Sequence, residues 1–125
     1  MFLVEINNKK ILFTGDGLGR DVIDQLSKNK MLDKNGKFYV DVLKVPHHGS
    51  ERNTSLEFFN TVIAEYYIIS ANGRDDNPSI DTLKWIIESV NKTKKAKTFV
   101  FTNSTPSIVK VLNMNKQNII TSAFF

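Results

Sequence analysis

Short runs rich in β-branched and aromatic residues alternate along this chain with stretches whose apolar residues fall at helical spacing. That alternation restricts the fold to an α/β layer. Phe2 to Ile6 and Lys10 to Thr14 read as a hairpin joined across the turn formers Asn7-Asn8-Lys9. Gly15-Asp16-Gly17-Leu18-Gly19 breaks the second strand, and Val22, Ile23, Leu26 and Met31 then recur at helical spacing until Asn35-Gly36. Phe38 to Val45 reads as a buried strand ended by Pro46, which has no N–H to give to a ladder. Thr54 is expected to cap a helix with Leu56, Phe58, Phe59, Val62 and Ile63 on one face and Glu57 in the capping-box position. Tyr66 to Ser70 reads as the next strand and Ala71 to Asn77 as a polar loop. Pro78-Ser79 opens a third helix carrying Leu83, Trp85, Ile86, Ile87 and Val90, and Thr98 to Thr102 returns as a strand. Ser107 to Leu112 and Asn118 to Thr121 are expected to pair as a terminal hairpin across Asn113 to Gln117. The predicted order is β-β-α-β-α-β-α-β-β-β.

Composition narrows the function classes. A length of 125 residues suits one compact unit or a piece of a larger one, and 41% hydrophobic with 24% charged residues argues against disorder. The absence of cysteine excludes disulfide scaffolds, zinc ribbons and thiol nucleophiles. No run approaches the roughly 18 apolar residues of a membrane helix, and Glu5 interrupts the apolar start too early for a signal peptide. A soluble, cytoplasmic chain with no membrane partner is the expectation. The net charge of +4 raises nucleic acid, a nucleotide or another polyanion as a partner. The densest basic run, Lys92, Lys94, Lys95 and Lys97, falls where a helix should end and complements the helix dipole there. No arginine cluster and no aromatics interleaved with charge mark a stacking platform for single strands.

In an open α/β layer the chemistry sits beyond the C-terminal ends of the strands. Three segments occupy such ends: Thr14-Gly15-Asp16, Val45-Pro46-His47-His48-Gly49-Ser50, and Ser70 through Pro78 with Asp75, Asp76 and Asn77. If their strands lie parallel and adjacent, all three converge on one rim. A carboxylate and neutral imidazoles suit zinc, manganese or iron, and a carboxylate can bridge two such ions. Adjacent histidines can divide labour, one binding metal while the other contacts substrate. Two metals would polarise a substrate and lower the pKa of bound water to about 7, giving hydrolysis without a side-chain nucleophile. Each residue also has a plainer role. Asp16 suits a turn or helix cap, Asp75 and Asp76 a polar loop, and Phe58, Phe59, Tyr66, Tyr67 and Trp85 core faces. The histidines are the only two in the chain and stand together at a strand end, which favours function over a solvated turn.

The run Lys10-Ile11-Leu12-Phe13-Thr14-Gly15-Asp16, followed after one helix by Asp41-Val42-Leu43-Lys44-Val45-Pro46-His47-His48-Gly49-Ser50, resembles the metallo-β-lactamase fold hydrolases. It is similar to the branch containing the hydrolase-like domain of bacterial DNA-uptake (competence) channel proteins, with the resemblance clearest over residues 2–103. The resemblance implies an αββα sandwich of which this chain, as a single partial domain over 1–125, is the C-terminal half. It implies Asp16 as a carboxylate bridging two metals, His48 as a metal ligand and His47 as the catalytic or outer-shell helper, with the order of the histidines open. Gly49, Ser50 and Asn77 would stand in the outer shell or against substrate. Two zinc ions, or manganese or iron, are the implied cofactors, and a phosphoester-type bond is the implied target.

Two departures qualify it. The family's main metal-binding motif, histidine-x-histidine-x-aspartate-histidine, lies upstream of the aspartate strand and has no counterpart before Gly15-Asp16. Relatives often carry histidine before the proline that is Pro78 here, whereas this chain has Asn77, a poor zinc ligand. The chain is therefore expected to be inactive alone, and to need the missing N-terminal half or another chain supplying it, or to dimerise. A non-catalytic interaction or scaffold module is the alternative. A nucleotide-binding unit is a minor one, because Gly15-x-Gly17-x-Gly19 lacks the spacing of the dinucleotide fingerprint.

Overall fold

The structure, a computed structural model, describes residues 1–114 and 120–124. Its elements are β1 (Phe2–Ile6), β2 (Lys9–Phe13), α1 (Gly19–Lys28), β3 (Phe38–Lys44), α2 (Leu56–Thr61), β4 (Val62–Ile69), α3 (Ile80–Thr93), β5 (Lys97–Phe101), α4 (Pro106–Met114) and β6 (Ile120–Phe124). The chain is thus α/β. Asn7 and Asn8, with φ of 49° and 62°, form the tight turn between β1 and β2, the left-handed pair that a two-residue hairpin needs.

One six-stranded sheet runs in the order β1-β2-β3-β4-β5-β6, antiparallel at the first pair and parallel thereafter. Right-handed crossovers that always step the same way put every helix on the same side. Accordingly α1, α2, α3 and α4 pack each against the next. Leu12, Leu43, Tyr67 and Phe99 stand in register across four strands, and all are fully buried. The Tyr67 ring meets Phe59 of α2 edge-on at 6.3 Å and Phe99 at 6.2 Å, so this row faces the helices. Burial pushes the Tyr67 hydroxyl up to about 12, and its oxygen accepts a hydrogen bond from the Ala64 N–H at 3.2 Å.

The flanking rows, Ile11-Val42-Tyr66-Thr98 and Phe13-Lys44-Ile68-Val100, point the other way. Among the described residues no helix lies over that face, and Tyr66 and Phe13 are 49% and 43% exposed. Tyr66 is therefore not the core residue its neighbours suggested. Phe2, opposite Phe13, extends the apolar surface onto β1.

Four further expectations are corrected. The terminal hairpin gives way to a helix: residues 106–114 form α4, because Thr105 Oγ1 accepts from the Ile108 N–H at 3.4 Å and Ile108 and Val111 fall one turn apart on the buried face. β6 then pairs parallel to β5 rather than with residues 107–112, and residues 115–119 of the expected turn and strand lie outside those described. The α2 cap is Ser55, whose Oγ accepts from the Phe58 N–H at 3.1 Å, whereas Thr54 is buried and bonded to Thr82 at 2.9 Å. Val62 and Ile63 begin β4 instead of ending the helix, as their β-branching favours. The lysine run also divides. Lys92 is in the last turn of α3 and Lys94 is its left-handed cap, but Lys97 is a buried strand residue bonded to Glu65 at 2.5 Å.

Candidate functional site

Because β2, β3 and β4 are adjacent and parallel, the loops after them meet at one edge of the sheet. The first two are tied by backbone: the His47 N–H donates to the Gly15 carbonyl at 2.9 Å, and Thr14 Oγ1 donates to the Lys44 carbonyl at 2.6 Å. The second and third are tied by the Ser79 N–H, which donates to the Gly49 carbonyl at 3.0 Å. Gly49, at φ +82°, packs so closely that a Cβ there would lie 2.7 Å from Pro78 Cβ. Only glycine satisfies both conditions. Ser50 is buried and works inside its own turn, its Oγ accepting from the Arg52 N–H at 3.3 Å and its carbonyl from Thr54 Oγ1 at 3.0 Å.

His47 and His48 are consecutive exposed residues in left-handed conformation, with φ of 41° and 57°. Non-glycine residues rarely stand so, and two in succession before a left-handed glycine concentrate strain at this turn. The side chains are oriented separately. His48 Nδ1 lies 2.5 Å from the Ser70 carbonyl, which can only accept, so Nδ1 carries a proton and, in the neutral ring, Nε2 keeps its lone pair. His47 Nδ1 lies 2.7 Å from Asn53 Oδ1. The Asn53 amide is fixed because its Nδ2 donates to the Asp16 carbonyl at 3.0 Å, so His47 too is protonated on Nδ1. The two rings lie 5.9 Å apart, and the neutral tautomer that these bonds select leaves Nε2 of each open, as in a metal-ligating or proton-accepting imidazole.

Asp16 is exposed on the neighbouring loop. Burial holds the Lys44 ammonium below the ordinary lysine value, and the charge of Asp16 opposes that shift. Asn77, in a cis peptide with Pro78, lines a cavity of about 330 Å³ beside His48. Asp75 and Asp76 remain exposed on the loop. Among the described residues no three His, Cys, Asp or Glu side chains gather to hold a metal ion. Asp16, His47 and His48 therefore do not make a closed metal site by themselves.

Comparison with protein families, curated proteins and solved structures gave no match. Among the described residues no helix is long and apolar enough to cross a membrane.

Asn53 is the residue that sequence reasoning missed. An asparagine six residues past a histidine, just before a helix, reads as turn chemistry, and only the fold shows that it orients the imidazole.

Proposed function

We propose that this chain forms one wall of a metal-dependent hydrolase site of the metallo-β-lactamase type, acting on a phosphoester-type bond. A further polypeptide segment, laid against the open sheet face, supplies the remaining ligands. Asp16 and His48 are the ligands on this side, and His47 is the group nearest substrate. The observation that carries the reading is the matched pair of imidazoles, each bonded inward through Nδ1 and each left with a free Nε2 at the rim shared with the Asp16 loop. Zinc, manganese or iron suits these donors. The donors are too few for a closed site, so the chain alone is inactive.

Elemental analysis after dialysis from zinc and manganese tests this, together with hydrolysis of a chromogenic phosphodiester. Less than one metal per chain and no turnover are expected, with metal uptake rising on addition of a segment bearing a histidine-rich motif. Two tightly held metals per chain, or turnover by the chain alone, refutes the half-site. The bare face carrying Phe2, Phe13 and Tyr66 also suits a non-catalytic scaffold module. Under that reading His47→Ala/His48→Ala leaves both partner association and metal uptake of the complex unchanged, whereas the half-site loses the metal.

A further inference from the structure

The chain carries fourteen lysines but only three arginines, Arg20, Arg52 and Arg74. They are scattered in sequence, and the fold brings all three to the rim that holds the histidine pair. Arg20 and Arg52 line a cavity of about 220 Å³ with Asn53, Thr54 and Ser55, on the side of His47. Asn53 is the residue that holds the His47 ring. Arg74 lines the cavity of about 330 Å³ on the side of His48, with Asn72, Asn77 and Asn103. The first cavity belongs to the loops after β2 and β3, the second to those after β4 and β5 together with His48 of the loop after β3. They therefore flank the end of β3, where the histidines stand.

Among the described residues no carboxylate lines either cavity. The acidic residues Glu51, Asp76 and Asp81 line a different hollow, at the starts of α3 and α4. Arg20 makes only a 3.7 Å contact with its neighbour Asp21, both of them well exposed, and such a pair holds its guanidinium weakly. In a chain that otherwise uses lysine for positive charge, arginine at all three positions indicates what the ammonium cannot do, namely two parallel hydrogen bonds to one oxyanion.

We propose that these arginines are two anion subsites, one on each side of the histidine pair, and that the ligand is a chain of phosphates. The two cavities share no lining residue and lie on opposite sides of the histidine pair. A single phosphate cannot occupy both cavities, whereas a phosphodiester strand or a polyphosphate can cross the rim. The proposal rests on the rim being the substrate site and names the chemistry the substrate carries.

The test is fluorescence anisotropy of a short labelled single-stranded oligonucleotide with the intact chain in chelator. No metal is involved, so its outcome is separate from that of the metal measurement above. Arg52→Ala and Arg74→Ala are each expected to weaken binding about tenfold. Each is also expected to lower the slope of log K against log salt by about 0.7 for every phosphate that the variant no longer neutralises. Arg→Lys at either position restores only part of the affinity, and Lys28→Ala at the far end of α1 changes nothing. Inorganic tripolyphosphate then distinguishes the sources. Displacement at equal phosphate identifies a bare phosphate chain as sufficient, and failure to displace identifies the nucleoside-bearing strand. No binding of either probe, full rescue by lysine, or a Lys28→Ala loss equal to the arginine losses overturns the subsites. The three side chains are exposed, so the variants are expected to melt with the parent.

Discussion

Gly49→Ala should destabilise the protein far more than Gly36→Ala, although both glycines have positive φ, +82° and +71°. At Gly36 nothing lies within 4 Å of an added Cβ, so the substitution reads the backbone cost alone, about 1–2 kcal/mol. At Gly49 the new methyl would sit 2.7 Å from Pro78 Cβ and 3.2 Å from Pro78 Cα, atoms of a rigid ring. Pro78 cannot swing away freely: its carbonyl accepts from Ser107 Oγ at 2.5 Å, and the next N–H, that of Ser79, is bonded to Gly49 itself. Overpacking of this kind adds about 1–3 kcal/mol, so the total is about 2–5 kcal/mol. Urea unfolding followed by fluorescence of Trp85, the chain's single tryptophan, measures the two variants side by side. The extra cost at Gly49 should move the midpoint about 1 M below that of Gly36→Ala. Equal midpoints would refute the claim that Gly49 and Pro78 clamp the histidine loop to the loop after β4.

Asn53→Ala should release the His47 ring without unfolding the chain. Nitrogen-15 NMR of the imidazoles should show His47 leaving the Nδ1–H tautomer while His48, held by Ser70, stays in it. Tyr67 has its folded-state pKa raised to about 12 from the ordinary 10.0, so its contribution to stability is complete below pH 10. It is lost as pH rises from 10 towards 12, because the unfolded chain then releases the proton first. Tyr67→Phe should flatten that part of the pH–stability curve and cost about 1 kcal/mol at neutral pH through the lost bond to Ala64. Phe13→Lys/Tyr66→Lys should abolish binding of a hydrophobic dye and any concentration-dependent association in sedimentation, without lowering the melting temperature. Unchanged dye binding would show that the sheet face is not the exposed apolar surface.

What was legible in the sequence is what local chemistry decides. The Asn7-Asn8 turn, the Gly-rich break after β2, the strand stopped by Pro46 and the Ser79 start of α3 all follow from residues whose own backbone preferences fix them. Reading failed where a β-branched run could serve two structures. Ile108, Val109 and Val111 look like strand but fold as α4 once Thr105 caps it, while Val62 and Ile63 look like the end of a helix but start β4. Both cases are settled by packing rather than propensity. The site divides in the same way. Asp16, His47 and His48 stood out as residue types at strand ends, but the amide that aims His47 and the placing of three distant arginines on either side of the histidines exist only after the strands are laid side by side.

The strand order explains why the rim and the open face belong to one problem. A sheet whose strands follow chain order keeps all of its crossover helices on one side, leaving Ile11, Phe13, Val42, Tyr66, Ile68 and Val100 on a second face without a helix among the described residues. Parallel sheets are almost always covered on both faces. Under the proposed half-site, a segment that covers this face and reaches the C-terminal ends of β2 to β4 would stand beside the Nε2 atoms of His47 and His48. Such a segment would add ligands to the rim by the same contact that buries the apolar face. Folding of the complete unit and assembly of its site would then be one event, and metal uptake and disappearance of dye binding should follow the same dependence on the added segment.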